Sequence, residues 1–133
     1  MSKLLIVDDE IDVREFAKNF FKKRNITVHT ASNGLEALEI IENEKPDLVL
    51  LDIRMDEMNG IDVLKYIRNQ KNDVKVIMVT GIEDEETVKI TESLGVSGYI
   101  HKPLILDELE KIVLKELQAK WRIMNDESMN ENH

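Results

Sequence analysis

Cysteine is absent from the 133 residues, which excludes disulfide bonds, thiolate metal sites and cysteine nucleophiles. The chain also lacks any apolar run near the roughly 20 residues that a helix needs to cross a membrane. Its first ten residues, MSKLLIVDDE, contain a single lysine and soon turn acidic, so we expect no signal peptide. A chain without cysteine fits the reducing cytoplasm, which is the location we expect.

Positive charge is also scarce, because 18 Lys and Arg residues face 27 Asp and Glu residues and the formal net charge is −9. Phosphate backbones require a basic footprint, so we expect no direct contact with nucleic acid. The acidic surplus is either a solvated surface or a set of carboxylates gathered around a cation. Their positions in the chain therefore decide between these two interpretations.

Five short segments rich in Ile, Val and Leu alternate with five amphipathic helical patterns. The segments predict strands at residues 3–8, 26–31, 48–52, 74–80 and 98–101. Such alternation predicts right-handed βαβ units and a parallel sheet covered by helices on both faces. The second strand alternates with polar residues, as an edge strand does. This favours a flavodoxin-like, doubly wound α/β fold with strand order 2-1-3-4-5 over a Rossmann fold, whose glycine fingerprint is missing.

The helical patterns also predict which side chains face the core. The stripes of the first two helices are Val13, Phe16, Ala17 and Phe20, and then Leu35, Leu38 and Ile41. Glu10 is interpreted as a first-turn residue of the first helix, where the helix dipole favours acidic side chains.

The last helix is predicted to begin at Asp107 as its N-cap and to end near Met124. That length exceeds what the sheet needs, and Trp121 prolongs its apolar stripe. The Trp121 side chain either folds back onto the domain, forms a homodimer contact or begins a linker to a missing output domain. We therefore expect a domain at residues 1–120, followed by a helix extension and polar tail at 121–133.

Polar side chains follow the predicted strands at the edge of the sheet where ligands of such folds bind. Asp8 and Asp9 follow the first strand, and Asp52 ends the third. Thr80 ends the fourth strand, and Lys102 follows the fifth. Because the carboxyl ends of parallel strands meet at one edge, we expect these five side chains to lie close together.

These residue types together predict a phosphoryl-transfer site. Three neighbouring carboxylates repel one another, so either their pKa values rise or a cation joins them. Oxygen ligands suit Mg²⁺, and a hydroxyl with an ammonium can hold phosphoryl oxygens. An aspartate is itself a competent phosphoryl acceptor.

Each of these residues taken alone has a simpler structural interpretation. Asp8 and Asp9 are suited to a helix N-cap, and Asp52 is suited to a turn. Thr80 fits the end of a strand, and Lys102 fits a solvated surface. Their convergence on one edge of one sheet is what favours a functional site.

Four segments, LLIVDDE, DLVLLDIRMDEMNG, VIMVTG and GVSGYIHKPL, resemble in order and spacing the receiver domain of two-component response regulators. The resemblance covers about residues 3–120. It implies a phosphorylation-dependent signalling switch that catalyses only its own phosphoryl transfer and autodephosphorylation. The implied phosphodonor is a sensor histidine kinase or a histidine phosphotransfer protein, and the implied target is a downstream effector protein or an output domain.

The resemblance also implies roles for the acidic residues. Asp52 is then the phosphoacceptor, and Asp9, Asp52 and the backbone carbonyl of Arg54 bind Mg²⁺. Asp8 acts mainly through metal-bound water. The sequence departs from the family at Asp56, where a proline usually follows the methionine of this loop. Losing the fixed φ of proline is expected to loosen the loop.

Further implied roles fall on the last two strands. Thr80 hydrogen-bonds the phosphoryl oxygens, and Lys102 pairs with them. Tyr99 occupies the aromatic switch position, which turns inward as Thr80 is drawn toward the phosphoryl group. A cis peptide bond joins Lys102 to Pro103 and aims the ammonium into the site.

Two alternative functions remain at this point. A Mg²⁺-dependent phosphatase of the haloacid-dehalogenase type also uses an aspartate nucleophile after a strand. That family places a second aspartate two residues later, where this chain has Arg54. The other alternative is a receiver fold that serves as a docking module without being phosphorylated.

Overall fold

The computed structural model describes residues 2–55, 58–81 and 85–131, with side chains described as far as residue 118. Within them, five strands alternate with five helices. The strands are β1 (Lys3–Val7), β2 (Thr27–Ala31), β3 (Leu48–Asp52), β4 (Lys75–Thr80) and β5 (Gly98–His101). The helices are α1 (Ile11–Lys22), α2 (Gly34–Glu44), α3 (Gly60–Asn69), α4 (Glu85–Ser93) and α5 (Leu106–Glu131).

The strands form one parallel sheet in the order β2-β1-β3-β4-β5. This confirms the predicted flavodoxin-like arrangement, with β2 at an edge. All five residues of β3 are buried, because this strand lies at the centre of the sheet and helices cover both its faces. The predicted bounds of β3 and β5 are confirmed, and the other three strands are each one residue shorter than predicted.

The sheet separates two apolar cores, because successive side chains of a strand point to opposite faces. In β1, Leu4 and Ile6 join the core covered by α1 and α5. Leu5 and Val7 join the core covered by α2 and α3. Alternate residues of one strand therefore contribute to the cores on opposite faces of the sheet.

The structure corrects the predicted core faces of α1 and α2. Phe16 is 48% exposed and Leu35 is 67% exposed, although both were expected to face the core. Ala17 and Phe21 are the buried residues of α1, and Ala37 is buried in α2. A step of one residue turns a side chain by about 100° around a helix. Burying Ala17 and Phe21 therefore leaves Phe16 at the margin of the contact.

Helix α5 is longer than predicted, since it extends to Glu131 rather than ending near Met124. Its sequence after residue 117 contains no proline or glycine that would break a helix. Asp107 lies in the first turn of α5 rather than at the N-cap. The side chains of Trp121 and Met124 lie outside the described ones. In the described part of the chain, no helix is both long and apolar enough to cross a membrane.

At the amino-terminal edge of the sheet, the Arg68 side chain at the end of α3 joins two loops. Its guanidinium donates hydrogen bonds to the backbone carbonyls of Leu94 at 2.6 Å and Gly95 at 3.2 Å, after α4. It also donates to those of Asn72 and Val74, both at 2.9 Å, before β4. A planar group with five donors can join two loops in this way.

Candidate functional site

The carboxyl-terminal edge of the sheet brings together the residues predicted from the sequence. Leu51 of β3 pairs with Val7 of β1, so Asp52 and Asp8 both follow this pair at the same level. Asp8 and Asp52 are 3% and 2% exposed. Two nearly buried carboxylates thus lie on adjacent strands.

Lys102 is the cation that meets these carboxylates. Its Nζ lies 2.9 Å from Asp52 Oδ2 and 3.5 Å from Asp8 Oδ2. Its backbone N–H donates to the carbonyl of Thr80 at 2.9 Å, which fixes the start of the loop after β5. The peptide bond between Lys102 and Pro103 is cis. Thr80 itself is 7% exposed at the end of β4.

Backbone N–H groups hold the other carboxylate oxygens. Arg54 N–H donates to Asp52 Oδ1 at 3.1 Å, and Glu10 N–H donates to Asp8 Oδ1 at 2.9 Å. The guanidinium of Arg14 donates to the backbone carbonyl of Asp8 at 2.7 Å. These contacts fix both aspartates before any ligand binds.

The start of α1 differs from the sequence interpretation. The N-cap is Glu10, which makes no side-chain capping hydrogen bond. Glu10 therefore lies just before the first turn, and neither Asp8 nor Asp9 caps the helix. The Asp8 side chain instead closes a short turn ahead of the helix, which aspartate side chains commonly do.

Gly60 allows α3 to begin directly against the phosphoacceptor candidate. A Cβ atom at this position would lie 2.2 Å from the backbone oxygen of Asp52. The Gly60 N–H donates to the carbonyl of Ile53 at 2.9 Å, and the Asn59 side chain caps the helix. A glycine at the first position of a helix was the signal of close backbone approach.

The electrostatics of the site follow from two buried carboxylates that share one ammonium. Burial raises the pKa of Asp52, the hydrogen bond from Lys102 opposes this rise, and the charge of Asp8 adds to it. Burial alone would lower the pKa of Lys102, but the hydrogen bond to Asp52 and the charges of both aspartates raise it overall. The site therefore has too little positive charge for its carboxylates, which suits it to a further cation.

A group of carboxylates lies beside this pair. Asp8, Asp9 and Glu10 can each offer an oxygen within 4.8 Å of the others, with Asp9 and Glu10 exposed to solvent. An all-oxygen donor set of this kind is typical of Mg²⁺ sites. Among the described residues, this group does not include Asp52. The Oδ2 atom of Asp52 instead contacts the Lys102 ammonium. The sequence interpretation missed Glu10 as a member of the group.

Tyr99 is half-buried, and its hydroxyl contacts helix α4. Its single proton has two possible acceptors, the backbone carbonyl of Val88 at 3.1 Å and the Thr91 hydroxyl. Thr91 is completely buried. Asp56, the position at which the sequence departs from the family, lies outside the described residues.

The fold and this edge define a class of protein, a doubly wound α/β domain with an acidic site at the strand ends. The sequence model of the family described as "Response regulator receiver domain" matches residues 4–114, and the chain belongs to that family. It is 36% identical over 118 residues to sporulation initiation phosphotransferase F of Bacillus subtilis, covering 89% of this chain and 95% of that protein. It is 39% identical over 116 residues to the chemotaxis protein CheY of Listeria monocytogenes, covering 84% and 98%.

Longer relatives and solved structures agree with this assignment. The regulatory protein AtoC of Escherichia coli is 40% identical over 120 residues, which cover 90% of this chain but 26% of that protein. A receiver domain protein of Methanospirillum hungatei superposes with a TM-score of 0.82 at 32% identity, covering 92% of this chain and 98% of that chain. Vibrio cholerae CheY4 superposes with a TM-score of 0.81 at 27% identity, covering 86% and 98%. The chain thus matches some relatives over nearly their whole length and others over a part.

Proposed function

We propose that the chain is a cytoplasmic, phosphorylation-dependent signalling switch in which Asp52 accepts a phosphoryl group from a histidine kinase or histidine phosphotransfer protein. The observation that carries the proposal is the contact of 2.9 Å between the buried Asp52 and the Lys102 ammonium. A buried carboxylate with a paired cation is a nucleophile held in place. The neighbouring carboxylates supply oxygen ligands for the cation that a phosphoryl-transfer site requires.

Mg²⁺ would be held by Asp8, Asp9, Asp52 and the backbone carbonyl of Arg54. The support for this is the all-oxygen chemistry of the donors and the group formed by Asp8, Asp9 and Glu10. When bound, the ion would neutralise charge on the carboxylates and on the phosphoryl oxygens. Burial, with the charge of Asp8 added to it, raises the pKa of Asp52, and a bound cation would lower this pKa again.

The protein's own groups have distinct parts in the transfer. A carboxylate oxygen of Asp52 forms the new P–O bond as the P–N bond to the donor imidazole breaks, and the imidazole leaves. The Lys102 ammonium, already at the carboxylate, pairs with a phosphoryl oxygen. The Thr80 hydroxyl, at the end of the neighbouring strand, donates a hydrogen bond to a second phosphoryl oxygen.

The donor would dock on an apolar surface beside the site. Ile11 is 63% exposed, Phe16 48% and Ile105 52%. A groove of about 630 Å³ separates α1 from the loop after β5, with Phe16 and Lys102 in its lining. Phe16 and Leu104 thus place apolar side chains beside Lys102, and apolar surface next to a functional residue is typical of an interaction site. Replacing Phe16 with serine should slow transfer from a histidine kinase without changing transfer from acetyl phosphate, and equal slowing with both donors would contradict the docking assignment.

We further propose that residues 1–120 form the receiver domain and that residues 121–133 form a helix extension and polar tail. Among the described side chains, Leu117 is the last buried residue of α5. The helix continues to Glu131, about 21 Å further at 1.5 Å per residue. This part of α5 would meet a downstream effector, an output domain or a second copy of the chain.

The proposal is tested by incubation with acetyl phosphate and Mg²⁺, followed by intact-mass measurement. The wild type should gain one phosphoryl group, and Asp52→Asn should gain none. Asp62→Asn is the matched control, since Asp62 lies in the exposed first turn of α3 and should leave the gain unchanged. If Asp52→Asn gains phosphate as readily as the wild type, the acceptor has been assigned to the wrong residue.

A further inference from the structure

Thr91 is a fully buried hydroxyl that the proposed transfer reaction does not use. It lies in the last part of α4, and its Oγ1 is 2.9 Å from the carbonyl of Thr87 and 3.1 Å from that of Val88. The same oxygen bonds to the Tyr99 hydroxyl. A threonine inside a helix commonly satisfies itself by bonding to the carbonyl four residues earlier, so its own burial does not require the tyrosine.

Counting protons shows how the threonine can hold the tyrosine. Each hydroxyl has one proton and two acceptor lone pairs. When Thr91 donates to the Thr87 carbonyl, its oxygen is free to accept the proton of Tyr99. The carbonyl of Val88, at 3.1 Å, offers Tyr99 a second acceptor. Chains of hydrogen bonds of this kind reinforce one another in a buried setting.

The contact joins two elements that both lead to the proposed site. Tyr99 is on β5, three residues before Lys102, and pairs in register with Met78 of β4. Thr91 is on α4, which follows the strand that ends in Thr80. Arg68 fastens the carboxyl end of α4 through Leu94 and Gly95. Tyr99 therefore cannot leave this position without breaking its bond to an anchored part of α4.

We propose that Thr91 is a positioning residue that holds Tyr99 against α4 in the unphosphorylated protein. The inference rests on the proposed function and names a determinant of its switch. Removing the Thr91 hydroxyl takes stabilisation from the unphosphorylated arrangement alone, so the phosphorylated arrangement becomes easier to reach. The expected change is about fivefold, the equivalent of one ordinary hydrogen bond.

The test uses beryllofluoride, a mimic of the phosphoryl group, at fixed Mg²⁺ concentration. Thr91→Val keeps the shape of the side chain without its hydroxyl, and should need about fivefold less beryllofluoride for half-saturation. Thr91→Ser keeps the hydroxyl and should match the wild type. Tyr99→Phe removes the same bond from the other side and should also bind more tightly. Adding Thr91→Val to Tyr99→Phe should then change little, because the bond is already absent. Unchanged or weaker binding by both single variants would overturn the proposal.

A second measurement, without beryllofluoride, separates this inference from the proposed function. In protein with ¹³C-labelled tyrosine, Thr91→Val should shift the ring signals of Tyr99. The signals of Tyr66, which is 49% exposed on α3, serve as the internal control and should not move. If beryllofluoride binds but the Tyr99 signals stay in place, the role of Thr91 is wrong and the function stands. If no variant binds beryllofluoride, the proposed function fails, while the Tyr99 shift still decides the role of Thr91.

Discussion

Replacing Lys102 with methionine would remove the ammonium and leave Asp8 and Asp52 facing each other. Both carboxylates are nearly buried, whereas the Lys102 side chain is 28% exposed. Breaking a fully buried ion pair from one side costs about 3–5 kcal/mol, since the remaining charge is left unpaired. Because solvent reaches part of Lys102, we expect a smaller loss of about 2 kcal/mol in the free energy of unfolding at pH 7.

Urea unfolding followed by circular dichroism would measure this loss. The matched control is Lys111→Met on the exposed face of α5, which should change stability by less than about 0.5 kcal/mol. Adding Asp52→Asn to Lys102→Met should restore more than half of the loss, because one of the uncompensated carboxylates is then gone. The loss should also shrink as the pH is lowered toward 4, because the raised pKa of Asp52 lets this carboxylate take up a proton. A double variant no more stable than Lys102→Met would refute the argument that unpaired carboxylates cause the loss.

Three further predictions use the same unfolding measurement. Gly60→Ala should lower the free energy of unfolding by about 3 kcal/mol, because its Cβ would lie 2.2 Å from the Asp52 backbone oxygen. Gly98→Ala is the control and should be nearly neutral, because no atom lies within 4 Å of its Cβ. Equal effects of the two substitutions would contradict the close approach at Gly60. Arg68→Lys should lower the free energy of unfolding by about 2 kcal/mol, since an ammonium cannot reproduce four hydrogen bonds to two loops. A loss no larger than that of the exposed control Lys65→Ala would be inconsistent with a structural role for these bonds. The pKa of Asp52 is raised in the folded protein above the ordinary value of 3.8, which applies to the unfolded chain. The stability of the wild type should therefore fall relative to that of Asp52→Asn as the pH rises from about 4 to 7. A constant difference in stability would mean that burial does not raise this pKa.

The strand order could be predicted because it follows from few rules. Alternating strands and helices force parallel pairing, and the polar alternation of β2 marks it as an edge. The core faces of the helices were harder to predict. In α1, Phe16, Phe20 and Phe21 offer the sheet three neighbouring aromatic side chains, and periodicity alone does not choose among them. The choice depends on where Ala17 lets the helix approach the sheet, which is a property of the assembled structure.

The positions of the candidate site's side chains could be predicted because each lies at or just after the end of its own strand. Sequence position relative to the strand is then enough to place Asp8, Asp52 and Lys102 at one edge. Their supporting contacts are of another kind. Arg14 and Thr91 act through hydrogen bonds to backbone or hydroxyl groups that sequence spacing does not indicate. Such partners become visible only when the packing of α1 and α4 is known.

The Arg68 contacts have a consequence for engineering the molecule. The loops before β4 and before β5 lie at the opposite edge of the sheet from Asp52. An insertion of a reporter domain in either loop would therefore be distant from the candidate site. Yet the Arg68 guanidinium spans both, through Val74 on one side and Leu94 on the other. An insertion there would separate carbonyls that one rigid group must reach together. A reporter is therefore better joined to α5 after Leu117, the last buried residue of that helix among the described side chains.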